Sequence, residues 1–425
     1  MGIDKCKMKS SIVLGRGEGN VKHVISFDVS MGKSYMVIYN SYKECLYEGE
    51  FTHTKLGFNE VKLRINQIIN SYGISPEIVF ESTGVYSKAL ERFMKENHYP
   101  YCLLNPLEAK IQCDSLRIHK TDRSDAHKLA LTHFSMDRKE KTVSDSVFDQ
   151  LKSLSRFYSE LDDELGVIRN RLHKVMQETF PELENIFTRK SNLFLNIAQL
   201  FPHPDFLIGH SKTVIRNKII ANTNKNISKN RAEKKAQELL LAAEQSYPAV
   251  SPDDVLCEQV RIYSKRFQEL LNEKDQCIGK MIKLADQRVE YELLLSFPGI
   301  GPNTAVRLMA EIGDIFRFSN NKQLNAFAGI DIRRFQSGKS FYKDKINKRG
   351  NKHLRKLLFI IIQNMIRLRR NGNNHIVDYY DKLKTQPYNK CHKVASIACV
   401  NKLLKSIFHL ITHGISYDYR LATSS

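Results

Sequence analysis

Four carboxylates and one serine have the types and spacings from which chemistry on a phosphodiester would be built. Asp28 lies inside an apolar run, "ISFDVS", and Glu81 ends another, "VFESTG". Asp122 and Asp125 stand three apart in "KTDRSDAHKLALTHF", so a helix there presents both on one face. A carboxylate among apolar strand residues is costly unless something pairs with it. Acids converging from strand ends and one helix suit a hard divalent cation with oxygen ligands. Two such ions about 4 Å apart would clamp the attacking and leaving oxygens of a phosphodiester. Each acid also has an ordinary reading: Asp28 as a turn cap, Glu81 as a loop acid, Asp122 as the N-cap of a helix over 123–134. The combination points to metal. His119 and His127 are expected to contact phosphate or solvent, since hard cations prefer oxygen. Arg117, Lys120 and Arg123 would face outward or line the path of a nucleic-acid backbone.

Two further motifs lie in the C-terminal half. "FPGIGPNTAVRLMAEIGDI" (297–315) places Pro298, Gly299, Gly301 and Pro302 in a tight turn between two helices. Backbone amides at the second helix's start, around Thr304, would meet a phosphate without reading a base. The turn is helix-hairpin-helix-like, although a glycine turn that only joins packed helices reads the same way. In "GIDIRRFQSGKSFYKDKINKRGNKHLRKLLF" (329–359), Arg333, Arg334, Lys339, Lys343, Lys345, Lys348, Arg349, Lys352, Arg355 and Lys356 fall within 24 residues. Phe335, Phe341 and Tyr342 are interleaved among them. A Ser337 hydroxyl among these cations would attack phosphorus while they stabilise the developing charge. No base accompanies it locally, so its activator would come from elsewhere, the acidic metal site above all. Ser340 competes for the role, and a serine beside glycine is often only a turn residue.

The elements that must position these groups follow from periodicity. Segments 23–30, 34–40 and 45–51 read as an antiparallel meander of strands. Segment 57–71 is a helix with Val61, Ile65, Ile68 and Ile69 on one face, and 77–82 is a buried strand. A helix over 86–97, a strand over 101–105 and helices in "NPLEAKIQC" and "KTDRSDAHKLALTHF" complete an α/β layered domain. Long amphipathic helices are expected over 145–180 and 253–295, paired antiparallel, across a dimer, or serving as a spacer. Between them, 200–252 reads as a basic insertion or subdomain, and 291–420 as helical around a basic loop.

The chain has 425 residues and a formal net charge of +20, with the surplus spread along its length. That favours a polyanion partner and grooves that track a phosphate backbone. Its eight cysteines form no CxxC pair and no zinc-like spacing, so a reducing cytosol is expected. The N-terminus lacks the apolar core of a signal peptide, and the longest apolar run, "LLFIII", is too short to span a bilayer. No membrane partner is expected.

Taken in order, "FDVS", "ESTG", "KTDRSDA", "FPGIGPNTA", "AFAGI" with "QSGK", and "INKRGNKHLRKLL" resemble the DEDD transposases of the insertion-sequence family IS110. The resemblance covers roughly 21–180 and 290–370. It implies a RuvC-like α/β domain of RNase H fold over 21–140, a helical coiled-coil spacer over 145–290, and a mostly α C-terminal transposase domain over 291–420. The family's four acids match Asp28, Glu81, Asp122 and Asp125, and its nucleophilic serine maps onto Ser337. It further implies Mg2+ held by the acids, a covalent phosphoserine link to donor and target DNA, a noncoding bridge RNA as guide, and a homo-oligomer, dimer or tetramer. Two rivals remain: a RuvC-like nuclease that cuts DNA with water, and a non-catalytic nucleic-acid-binding protein.

Overall fold

The computed structural model describes residues 22–106, 109, 111, 121–136, 138, 140, 146–223, 227–333, 336–337, 340–341 and 345–423; for 333, 336–337 and 340–341 the description is of the backbone. The chain forms two compact units, Met1–Val143 and Ser144–Ser425.

The first unit is built on a five-stranded sheet in the order β3-β2-β1-β4-β5. β1 (Val24–Ser30), β2 (Lys33–Tyr39) and β3 (Cys45–Thr52) form the antiparallel meander, and β4 (Glu77–Glu81) and β5 (Tyr101–Leu104) run parallel to β1. This mixed sheet is consistent with a RuvC-like fold. Strand alternation sorts its side chains. Ile25, Phe27, Val29 and Phe80 pack under helices α1 (Lys55–Tyr72) and α2 (Ser87–Glu96). Val24, Val37, Tyr39, Val79 and Leu104 face the other way, covered by Ala126, Leu129 and Ala130 of α3 (Asp122–His133).

One detail of α3 departs from expectation. Its N-cap is Thr121, not Asp122: the Thr121 side chain accepts from the Ser124 amide (3.1 Å), and Ser124 Oγ accepts from the Thr121 amide (3.0 Å). This reciprocal box satisfies two donors at once, which a lone aspartate cap would not. Asp122 is thereby moved inside the first turn. The helix expected in "NPLEAKIQC" lies largely outside the described residues.

In the second unit the helices Ser146–Thr179 and Val255–Ala285 pair antiparallel within the chain. Cys277 Sγ donates to the Leu154 carbonyl (3.3 Å), and Arg266 meets Glu164 at 3.4 Å. The single helix expected over 253–295 is two. The chain breaks at 286–288, Arg288 is extended, and Val289–Leu295 resumes in a new direction. Beyond the break Tyr291, Leu293 and Leu294 join the core that Met281 already enters, distinct from the one lined by Val260 and Phe267. The segment 200–252 shares a core with its neighbours. Its helices Lys212–Ala221 and Lys229–Gln245 bury Ile215, Ile219, Ala232, Ala236 and Leu239 with Phe180, Phe194 and Phe267.

The other core joins Phe148, Leu151 and Met281 to Phe297, Leu308, Leu358 and Leu403. The helix His392–His413 is apolar enough to cross a membrane by length and composition alone. Here its Ala395, Cys399, Leu403, Leu404 and Ile407 are buried in that core.

Candidate functional site

Register brings the first two acids together. β1 and β4 pair in parallel with Phe27 beside Phe80, so the next residues on each strand, Asp28 and Glu81, are neighbours at the same level. Alternation sends both to the face that carries Val24 and Val79, the face α3 covers. Both are partly buried.

Helix α3 runs back along β1. At its C-terminal end His133 Nε2 meets Glu77 at 2.7 Å, beside the start of β1. Midway, Ser26 Oγ donates to the Ala126 carbonyl at 2.5 Å. At its N-terminal end Asp122 is near enough to Lys33 that, after the larger effect of Glu50, it helps to raise that ammonium's pKa. The first turn of α3, with Asp122 exposed and Asp125 partly buried, therefore lies toward the C-terminal end of β1 and the start of β2. Asp125 is partly buried, 3.4 Å from Ser124 Oγ and 3.9 Å from Lys128 Nζ. The donor set is wholly carboxylate oxygen, which fits Mg2+ and not a soft metal.

Glu48 and His127 complete this end of the domain. Arg123 grips Glu48 through two bonds, Nε to Oε2 at 3.0 Å and Nη2 to Oε1 at 2.6 Å. His127 Nε2 meets Glu48 Oε2 at 2.7 Å, and its Nδ1 meets the Tyr39 hydroxyl at 2.8 Å. Burial works against the Glu48 charge, but the bonds from His127 and Arg123 outweigh it and hold its pKa below the usual range. His127, expected to meet phosphate or solvent, is thus occupied by protein groups, and the Arg123 guanidinium is engaged as well. The sequence held one signal for Glu48: alternation in "CLYEGEF" puts it opposite Val37, on the same face as the acids. Among the described residues, the ligand atoms that come within 4.8 Å of one another are those of Cys45, Glu48 and His127, and not those of the four acids. The arginine already on Glu48 makes that trio a poor cation site. Arg117, Lys120 and His119 lie outside the described residues.

In the second unit the "PGIG" turn separates the helices Val289–Leu295 and Pro302–Ile312. Gly299 has φ +92°, and a Cβ there would sit 2.6 Å from Met365 Cγ. Gly301 is the extended N-cap, with Pro302 opening the helix. A cleft of about 500 Å³ runs past Gly299, Gly301, Thr304, Asn364 and Arg367. Arg367 lies beyond the motif and was not anticipated.

The base of the basic loop is pinned by backbone. Asn351 donates to the Phe327 carbonyl (2.7 Å), Lys348 to Gly329 (3.0 Å) and Asn347 to Asp331 (2.9 Å). β6 (Ile332–Arg333) pairs with β9 (Lys345–Ile346), and inside them β7 (Gln336–Ser337) pairs with β8 (Ser340–Phe341). Ser337 and Ser340 are direct partners in that inner pair. Gly350 makes the closure possible: a Cβ there would lie 2.6 Å from the Phe327 carbonyl and 2.7 Å from the Gly329 amide.

The cations called for in this motif are divided in use. Arg334 and Lys339 lie outside the described residues, and Arg333 is described by backbone only. Lys348 and Arg349 are exposed. Arg355 Nη1 donates to the Ala328 carbonyl (2.9 Å), bracing the loop base. Lys352 lines a cavity of about 310 Å³ with Arg307, Lys356, Asp162 and Glu311. Glu311 escaped the sequence reading. It is buried, bonded by Ser155 (3.0 Å), Arg156 (2.9 Å) and Asn351 (2.8 Å), and so anchors the "RGNK" segment to two other helices.

Two family models match these same regions. Residues 25–181 match a DEDD transposase model of IS110, and 291–380 match the transposase IS116/IS110/IS902 family, together more than half the chain. The transposase for insertion sequence element IS1111A of Coxiella burnetii is 31% identical over 165 residues, 37% of this chain and 43% of that protein. The chain thus spans less than half the length of that relative. Pilin gene-inverting proteins of Moraxella lacunata and Moraxella bovis are each 25% identical over 91% of this chain and 94% of theirs. With both of its motif-bearing regions matched by models of one family, the chain belongs to the IS110 family of transposases.

Proposed function

We propose that the protein is the DNA transposase or recombinase of an insertion sequence, cutting and exchanging strands through a serine-DNA intermediate. The observation that supports this reading is that Asp28 and Glu81 stand side by side on the sheet face covered by α3, the helix whose first turn carries Asp122 and Asp125. The relatives named for transposition and gene inversion add to it. The four carboxylates would hold Mg2+, which when bound supplies Lewis-acid stabilisation of phosphate oxygens. The Ser337 oxygen forms a bond to phosphorus, the bond to one bridging sugar oxygen breaks, and that oxygen leaves with a proton as a hydroxyl. Lys348 and Arg349, exposed at the loop base, screen the phosphates on either side. The turn at Gly299, Gly301 and Thr304, exposed at Gly301, holds backbone without reading bases. Sequence choice then falls to a noncoding guide RNA that pairs with donor and target, and a homo-oligomer assembles several sites. A net charge of +20 is suited to two polyanions.

The test is a trap reaction on a plasmid carrying the ends of the protein's own insertion sequence. Wild type is expected to leave protein covalently on DNA, and Ser337→Ala to leave none. An undiminished adduct in Ser337→Ala assigns the attack elsewhere, with Ser340→Ala as the next variant. Cleavage with no adduct in wild type selects the water-using nuclease instead. Sequencing of co-purified RNA checks the guide: one defined noncoding species is expected.

A further inference from the structure

We infer that Glu48 is a positioning residue for the metal-binding acids, the strut that fixes the first two turns of α3 against the sheet. The inference rests on the metal role proposed for Asp122 and Asp125. Those residues alternate along α3 with Arg123 and His127, and both of the latter end on the same carboxylate. Glu48 stands on β3, next to β2, whose Tyr39 holds the other nitrogen of His127. Two strands thus grip the helix at successive turns. Further along α3, Ser26 of β1 donates to the Ala126 carbonyl.

The geometry makes the strut consequential. Helix α3 is 12 residues long, and its apolar anchors Ala126, Leu129 and Ala130 all lie beyond Asp125. Apolar packing therefore holds the middle and C-terminal end, while the acid-bearing turn is held by polar bonds. Carboxylates that ligate a cation must be kept within about half an ångström of productive geometry by groups behind them. Loss of such a partner costs about 10- to 100-fold in metal affinity. Glu48 touches neither substrate nor metal in this scheme. It acts through Arg123 and His127.

Mn2+ binding by the full-length protein, followed by the electron paramagnetic resonance signal of free Mn2+, tests this without any DNA substrate. Wild type is expected to bind, and Asp125→Asn to bind weakly or not at all. Glu48→Ala is expected to weaken Mn2+ binding about tenfold, with an unchanged circular dichroism spectrum. Arg123→Ala, which leaves the His127 bond to Glu48, should lose less, and the double variant should lose no more than Glu48→Ala alone, because both act through one strut. If Glu48→Ala fails to fold, Glu48→Gln, which keeps the volume and one acceptor, is expected to show a smaller loss in the same direction. Wild-type affinity in a folded Glu48 variant, with Asp125→Asn impaired, overturns the strut and leaves the acid site standing. Wild-type affinity in Asp125→Asn overturns the acid site itself. Additive losses in the double variant also overturn the strut, since the two residues would then act separately.

Discussion

The acid end of the first unit and the serine loop of the second are both parts of the proposed chemistry, but they are held in different ways. The acids sit on long regular elements. Asp28 and Glu81 occupy the ends of strands paired over four successive residues, and α3 lies across them on an apolar seam. Ser337 sits in a ladder of two-residue strands whose position depends on a pinched base, with Gly350 against the Phe327 carbonyl and Asn351 capping the next helix. Packing over a broad face tolerates local change, whereas a pinch made of a few backbone contacts does not. The acid end should therefore fail chemically when its side chains are altered. The serine end should fail structurally when its base is altered.

Asp28→Asn gives the largest effect expected from this contrast. The amide is nearly isosteric and the strand pairing is untouched, so the fold should persist while strand cleavage falls by about 10³-fold, the scale on which loss of one charge-stabilising group is felt. Gel analysis of nicked plasmid measures it, with the melting temperature as control. Melting far below wild type would mean that the acid end is not held by its sheet. Next in size, Gly350→Ala should cost about 2 kcal/mol of stability, because the backbone is at φ +154° and the new Cβ meets two backbone atoms. Urea unfolding reads the loss, and the serine-DNA adduct should fall with it although Ser337 is unchanged. Wild-type stability in that variant would break the comparison from the other side.

Much of the first unit was legible in the sequence because its signals are local. Apolar runs between short polar turns marked the strands at 24–30, 33–39 and 77–81, and the helix over 122–133 followed from its spacing. The juxtaposition of Asp28 with Glu81 was not legible from composition or periodicity, since it depends on a parallel pairing between strands some fifty residues apart. Glu48 escaped for the same reason: its partners Arg123 and His127 lie on another element far along the chain. In the second unit the leucine-rich stripe of 256–271 gave no warning of the break at 286–288, because apolar residues resume beyond it in Tyr291, Leu293 and Leu294. The core of 200–252 was hidden by its chemistry. Ala232, Ala236 and Ala243 bury closely against larger neighbours but carry little hydrophobic signal among the surrounding lysines.

The smallest effect tests the acid end at its least packed point. Thr121 and Ser124 close a capping box at the start of α3, immediately before Asp122. Removing one capping side chain costs about 1 kcal/mol, and Thr121→Ala leaves both acids and the Glu48 contacts in place. The first turn should then fray locally while Ala126, Leu129 and Ala130 keep the rest of the helix on the sheet. Hydrogen exchange should accelerate at the amides of Ser124 and Asp125, which bond to Thr121, and remain slow from Leu129 onward. Acceleration along the whole helix would mean that the cap, not the apolar seam, docks α3. The distinction between a broadly packed acid end and a pinched serine end would then fail where it predicts the greatest resilience.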